Sequence, residues 1–398
     1  MENKLLHIVG GGQNQILFVQ MAKSMGYRVL VTDMYPDPPC KAIADIFEQV
    51  NTTDKEGTLA AASKHKIDAI VTDQTDVAVP TVAYVAENLG LKGIGYETAL
   101  KFTNKYTMRE YMRKEYPECI PEFYFFQEPY EAIEFVEKNK HKIDKLVVKP
   151  VNSQGSKGVA FLDQNLYKEQ ITNAFIESRS RGFLIEQRIG GFEFSVEAFV
   201  KDGEVFNLAV TKKYHYESND CIDIRNTYLG DISSELENSL FTLNTNVIKA
   251  LKLNFGVTHA EYKVENGRPY LMEIAARGGG GSISSLIVPY LTGFEPNRGL
   301  INILFDQEFD VTYQDYKEKF VVMKFFEFKP GKVKSVICNK EFTLKTMVFQ
   351  LDIQVGQEIQ VVKDSRDRCG YFVVCSSDRD EVLKLEKEVE KSVTIEYE

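Results

Sequence analysis

Residues Val257–Ser282, VTHAEYKVENGRPYLMEIAARGGGGS, carry two strand-like runs with one glutamate each, Glu261 and Glu273, around an Asn266-Gly267 turn. The second run ends in Arg277, followed by the glycines Gly278 to Gly281. Paired carboxylates on a hairpin can hold a hard divalent cation. An arginine beside open backbone amides suits phosphate or carboxylate oxygens. The chemistry of this segment is that of a metal and an anion held side by side.

Whether the two glutamates can meet depends on register. A strict two-residue loop at Asn266-Gly267 pairs Glu261 with Met272 and turns Glu273 to the opposite face. A three-residue loop, with Gly267 in the left-handed position of a bulge, shifts the pairing by one. Both glutamates then share a face with His259 and Lys263, while Ala260, Tyr262 and Val264 face the core. A metal site therefore predicts the odd-length loop. A plain solvated hairpin would have no use for Arg277 and the glycine run.

Further residues with usable chemistry lie upstream. KLVVKP, 145–150, reads as a strand whose last inward position is Lys149. The loop after it, Asn152–Gly158, contains Ser153, Gly155, Ser156 and Gly158 and can fold over phosphates through its amides. The loop lacks the GxxxxGK[ST] pattern, so it is not a Walker loop. FEFSVEAFV, 192–200, alternates, with Phe192, Phe194, Val196, Ala198 and Val200 inward and Glu193, Ser195 and Glu197 on the other face. His259, Lys212 and Lys213 are lesser candidates for substrate contact, each equally compatible with a packed or surface role.

These residues need elements to position them, and the chain reads as an α/β alternation. KLLHIV, 4–9, is a buried parallel strand that leads into Gly10-Gly11-Gly12-Gln13-Asn14-Gln15. A helix through Ile16–Met25 stops at Gly26, and strands follow at 27–33 and 67–73. A helix through Val77–Leu89 stops at Gly90. Strand–helix–strand units of this kind indicate a doubly wound parallel sheet over roughly the first hundred residues. GGGQNQ is not a GxGxxG fingerprint, so a dinucleotide with Asp33 on its ribose is no better supported than a tight strand-to-helix crossing. Helices are expected at 103–116, which contains Lys105, and at 130–140 and 234–253.

Composition narrows the class. A chain of 398 residues can build two to four units with substantial cores. The net charge of −10, with no long basic stripe, argues against a nucleic-acid or membrane-surface partner. An anionic ligand must then be met by local positive groups. The six cysteines show no CxxC or Cys/His ligand spacing and read as reduced thiols of a cytoplasmic protein. No apolar run approaches bilayer-spanning length, and Leu5–Val9 lacks the pattern of a signal peptide.

In order along the chain, Lys105, Lys149, the glycine loop 152–158, EQRI at 186–189, Glu193 and the Glu261/Glu273 pair resemble the ATP-grasp superfamily. The resemblance implies two α+β lobes with ATP between them, preceded by a Rossmann-like parallel sheet and followed by a small C-terminal α+β domain. It places the units at 1–100, 101–190, 191–308 and 309–398. It implies that Lys105, Lys149 and the loop residues Ser153, Gly155, Ser156 and Gly158 contact phosphates. The hinge backbone at Glu186, Gln187 and Ile189 would hold adenine, Glu193 the ribose, and Glu261 and Glu273 Mg²⁺, with Mn²⁺ as an alternative. Lys149 and Arg277 would be catalytic, and Arg277, Gly279, Gly280, Ser282 and Lys212 would meet the substrate.

The N-terminal part is similar to the pre-ATP-grasp domain of carboxylate–amine ligases, and the C-terminal part to that of L-amino acid ligases. The implied reaction joins a small-molecule carboxylate to an amine through an acyl phosphate, and a homodimer is compatible with it. A phosphoribosylglycinamide synthetase-like ligase, a small-molecule kinase and a non-catalytic ATP-binding protein use the same ATP half. One departure is Ala275, two residues after Glu273, where many ATP-grasp enzymes have a metal-binding asparagine. It leaves the number of metal ions open.

Overall fold

The computed structural model describes residues 4–217, 219–314, 316 and 318–398. The N-terminal region forms a parallel sheet in the order 46–49, 28–33, 5–9, 69–71. Its strands read as continuous apolar runs because helices cover both faces, as a buried parallel sheet requires. The glycines at 10–12 serve this packing. A Cβ on Gly10 would come within 2.8 Å of Thr75 Oγ1, and one on Gly11 within 2.8 Å of Val31 Cγ1. Asp33 accepts from Gly11 N at 2.8 Å and Tyr35 N at 2.9 Å, so its carboxylate ties down the turn.

A second, antiparallel sheet runs 123–126, 183–187, 146–150, 160–161 and carries helices Pro129–Lys138 and Tyr167–Glu177. The third and largest sheet has eight strands, ordered 268–275, 256–265, 192–201, 204–216, 219–228, 320–325, 370–376, 348–351. Its last three strands come from the segment beyond residue 309, so that segment extends the central sheet. The rest of it forms a three-stranded sheet, 358–359, 331–338, 393–397, with helix Arg379–Lys391.

Strand alternation decides which faces the large sheet offers. Phe194, Val196, Ala198 and Val200 pack with Ala260, Tyr262 and Val264 under helix Ser234–Leu251. Each buried Phe or Val side chain among them contributes about 1.5–3 kcal/mol. Phe192, expected inward, is 57% exposed because it opens the strand at the sheet's margin. On the opposite face Phe199 and Val257 join a core shared with the N-terminal sheet, the helix Pro296–Leu304 and strands 320–325 and 370–376. Between that core and the strand ends, the same face carries Glu193, Ser195 and Glu197. The floor of the site is this polar stretch.

Candidate functional site

The hairpin Gly256–Ala275 brings Glu261 and Glu273 directly opposite each other. It does so by a different route from the odd-length loop predicted above. The loop is the two-residue Asn266-Gly267, both residues with positive φ (53° and 78°), as a type I′ turn requires. Pairing is regular from Glu265–Arg268 to Tyr262–Leu271, then shifts between Tyr262 and Glu261. Met272 is the extra residue of a β-bulge, and the bulge moves the register by one. Arg109 Nη2 donates to the Met272 carbonyl at 2.9 Å and so supports the bulge from behind.

Around this pair lies a cleft lined by residues of both 101–190 and 191–308. Lys105 opens helix Lys105–Glu115, whose N-cap Asn104 accepts from Thr107 N. Its Nζ donates to Glu273 Oε1 at 2.8 Å and to the Ser153 carbonyl at 3.2 Å. Lys149, at the end of strand 146–150, reaches the cleft from the smaller sheet. Ser153, Gly155, Ser156, Gln187, Ile189 and Glu193 line it as well. Ser156 Oγ donates to the Cys221 carbonyl at 2.7 Å and folds the glycine loop over the large sheet. Ser365 N donates to Gly155 O at 3.3 Å, so the C-terminal segment also touches that loop.

Several expected contacts lie elsewhere. Glu186 is fully buried behind the cleft, taking Arg109 Nε at 2.7 Å and Lys149 Nζ at 2.7 Å. Its side chain supports Lys149, and the adenine contact expected at 186–189 is one of the backbone. Gly158 turns toward Pro150, Ala174 and Glu177, away from the cleft. Lys212 is on the wrong face of its strand, with its ammonium 4.2 Å from the Phe192 ring centre. Strand alternation puts Lys213 in the site, where it pairs with Glu261 and, at 3.3 Å, with Glu193.

Arg277, Gly279, Gly280 and Ser282 are not on the cleft wall. They form the adjoining turn, next to the N-terminal sheet. Arg277 Nη1 donates to Gly278 O at 2.8 Å and its Nε is 4.0 Å from Asp76 Oδ1. A Cβ on Gly279 would stand 3.0 Å from His259 Nδ1 and 3.1 Å from Ile283 Cβ, so the turn lies tightly on the sheet here. Ser282 Oγ is 3.2 Å from Tyr371 OH and is engaged with the C-terminal strand.

The charges are strongly coupled. Burial alone would raise the Glu261 carboxyl, but Lys213 and His259 hold it well below the usual range. Burial would likewise neutralise His259, but Glu197, hydrogen-bonded to Nδ1, together with Glu261 lifts its pKa to about 9. Burial raises the Asp76 carboxyl to about 6 against the opposing pull of Arg277.

The residues present fit a magnesium ion. Among the described residues no group of three or more His, Cys, Asp or Glu side chains is placed to hold a metal. Mg²⁺ is usually bound through one or two carboxylates plus substrate phosphates, and Glu261 and Glu273 offer two carboxylates at the end of a lysine-lined cleft. Sequence reasoning missed Arg109 and Asp76. Each is a single charge with no local pattern, and its role depends on segments more than seventy residues away.

Comparison with known proteins agrees with this geometry. The ATP-grasp domain family matches residues 144–285, the ribonucleotide synthetase preATP-grasp domain 3–92, and the L-amino acid ligase C-terminal domain 2 residues 324–398. Residues 144–285 belong to the ATP-grasp domain family. Together the three matches support an ATP-grasp carboxylate–amine ligase.

The phosphoribosylamine–glycine ligase of Pyrococcus furiosus is 24% identical over 295 residues, 69% of this chain and 66% of that protein. The L-arginine-specific L-amino acid ligase of Bacillus subtilis is 24% identical over 227 residues, 54% of this chain and 53% of that protein. The matches thus span about half to two thirds of these relatives. Among solved structures, L-amino acid ligase from Bacillus licheniformis aligns with a TM-score of 0.81 at 19% identity. Phosphoribosylglycinamide synthetase from Anaerococcus prevotii aligns at 0.76, also at 19% identity. Both alignments cover 100% of each chain and establish the shared fold. Among the described residues no helix is long and apolar enough to cross a membrane.

Proposed function

We propose that the chain is an ADP-forming carboxylate–amine ligase whose carboxylate substrate is an amino acid. The observation that carries this reading is the meeting of Lys105, Lys149, Lys213, Glu193, Glu261 and Glu273 in one cleft, with Arg277 and its glycine turn just beyond Glu273. The first half suits a nucleoside triphosphate and the second a small anion. The match of residues 324–398 to the L-amino acid ligase C-terminal domain supports an amino acid as the acid.

A carboxylate is a poor electrophile because an amine cannot displace oxide from it. One of its oxygens therefore attacks the γ-phosphorus of ATP, the bond to the β-phosphate oxygen breaks, and ADP leaves. Lys105 and Lys149 place positive charge where the transferring phosphoryl group gains negative charge. Glu261 and Glu273 would hold Mg²⁺, which when bound neutralises phosphate oxygens. Arg277 would hold the substrate carboxylate or the acyl phosphate made from it, and the amides of Gly279–Gly281 would serve the tetrahedral oxyanion, since that of Gly278 is taken by Asp73 O. The neutral amine nitrogen attacks the acyl carbon, the bond to the phosphate oxygen breaks as the C–N bond forms, and the proton shed by nitrogen leaves with the phosphate.

Phosphate release measured with amino acids singly and in pairs, with ATP and Mg²⁺, tests the proposal. Turnover that needs two amino acids supports it. Turnover with one acid alone would show a kinase, and ATP binding without ADP formation across the panel would show a non-catalytic protein. Glycine with phosphoribosylamine belongs in the panel, because the phosphoribosylamine–glycine ligases cover so much of this chain.

A further inference from the structure

The glycine loop 152–158 holds a conformation that its own residues do not fix. Gly155, Ser156 and Gly158 all have positive φ, at 67°, 59° and 72°. Glycine adopts that region freely, but a serine there is strained and stays only when its surroundings impose it. Within the smaller lobe, Asn152 Oδ1 accepts from Ser178 Oγ at 3.2 Å and from Arg179 N at 3.0 Å and fixes the start of the loop. The tip is held from outside that lobe. Ser156 Oγ donates to Cys221 O at 2.7 Å, and Ser365 N donates to Gly155 O at 3.3 Å.

Ser365 belongs to a turn, 363–368, that carries its own scaffold. The Asp364 carboxylate accepts from Arg366 N at 2.9 Å, and Asp367 Oδ2 accepts from Lys363 N at 2.8 Å and Asp364 N at 3.2 Å. The Arg366 guanidinium lies along the Asp364 carboxylate, with Nε–Oδ1 at 2.9 Å and Nη2–Oδ2 at 2.6 Å. It also comes within 3.6 Å of Glu177 Oε1, at the end of helix Tyr167–Glu177 of the smaller lobe. On the other side, Asn219 Nδ2 donates to Lys363 O at 3.4 Å and Arg368 pairs with Asp223, both on strand 219–228 of the large sheet. The turn thus grips the smaller lobe through residues 365 and 366 and the large sheet through residues 363 and 368. It does so beside a cleft lined by Gly155, Ser156 and Asp223.

We infer that the turn 363–368 is a latch that positions the glycine loop over the nucleotide phosphates, with Ser365 and Arg366 as the positioning residues. The inference rests on reading the cleft as a nucleotide site, and not on the identity of the acid, the amine or the bond formed. The turn acts through the loop, whose amides would receive the phosphates. Arg366 is 57% exposed, and an exposed ion pair and a single backbone hydrogen bond are each weak, so the latch can open. Opening it frees the loop from the large sheet, and nucleotide exchange then depends on the C-terminal segment.

The test is stopped-flow displacement of a fluorescent ADP analogue from the full chain with Mg²⁺ at pH 7.5. Ser365→Pro removes the N–H donor at the first position of a short helical turn, where proline fits, and the extended Asp364 before it suits a following proline. Arg366→Ala removes the ion pair. Each should speed release about threefold and the two together about tenfold. Salt at 0.5 M should speed release from the wild type but not from Arg366→Ala, and Arg366→Lys should partly restore the wild-type rate, neither of which general damage would produce. Wild-type hydrogen exchange over 331–338 and 370–376 shows that the C-terminal strands are intact. Unchanged release from the double variant overturns the inference. Failure of the wild type to bind ADP would overturn the nucleotide reading of the cleft. The latch is then read from hydrogen exchange of 153–158, where faster exchange in the double variant supports it and unchanged exchange overturns it.

Discussion

Replacing Glu186 by glutamine keeps the shape of the side chain and removes its charge, leaving Arg109 and Lys149 facing a neutral amide. Glu186 and Arg109 are both fully buried, and both cations lie 2.7 Å from the carboxylate. Burial would raise the carboxyl above its ordinary value of 4.5, but Arg109 and Lys149 bring it down to about 2. A shift of that size, at ~1.4 kcal/mol per unit, corresponds to about 3.5 kcal/mol. Breaking a buried ion pair by removing one partner costs ~3–5 kcal/mol, so two independent routes agree.

The sign follows from the depressed pKa. The contribution is present above about pH 4.5 and is lost as pH falls toward 2. Urea unfolding of Glu186→Gln at pH 7.5 should therefore show a loss of about 3–5 kcal/mol at unchanged m-value. The gap from wild type should narrow below pH 4.5. A loss under about 1 kcal/mol at pH 7.5, or a gap that stays constant down to pH 3, would refute this account of the network.

Three further outcomes are expected. Glu273→Gln should weaken Mn²⁺ binding in the presence of ADP at least about tenfold, read by paramagnetic resonance; equal affinity would remove Glu273 from the metal site. In Mg²⁺-free buffer, the His259 pKa near 9 means its contribution is full below pH 6.5 and disappears as pH rises through 9. His259→Asn should thus flatten the decline in Tm between pH 7 and pH 9.5, and an unaltered slope would assign that decline to other groups. Gly155 has φ +67° and Ser365 Oγ stands 2.1 Å from where its Cβ would be. Gly155→Ala should cost about 1–2 kcal/mol in backbone strain and lower hydrogen-exchange protection of 153–158. Adding Ser365→Gly should recover part of that protection, and no recovery would show that the C-terminal segment does not bear on the loop.

Much of this architecture was legible in local pattern. Apolar runs followed by glycine-stopped helices marked the parallel sheet, because a strand covered on both faces and a helix ending in left-handed glycine each leave a local signature. Glu193 and Lys149 were likewise placed by alternation within one short strand each. The sequence order Lys105, Lys149, Glu193, Glu261, Glu273 was sufficient to indicate the superfamily.

Tertiary structure decided the rest. Local rules favour the two-residue turn at Asn266-Gly267, and that turn by itself separates the glutamates; the bulge at Met272 brings them together, supported by Arg109 from another helix. Lys213 instead of Lys212 faces the cleft because its strand pairs in register with Glu193, a parity that neither residue encodes alone. The Glu186 side chain is a support for Lys149 because burial and two cations are properties of assembled elements. The amino-acid order is sufficient for the period of an element, since periodicity is local. Which faces meet, and which charges are left without partners, depends on segments brought together from 70 to 270 along the chain.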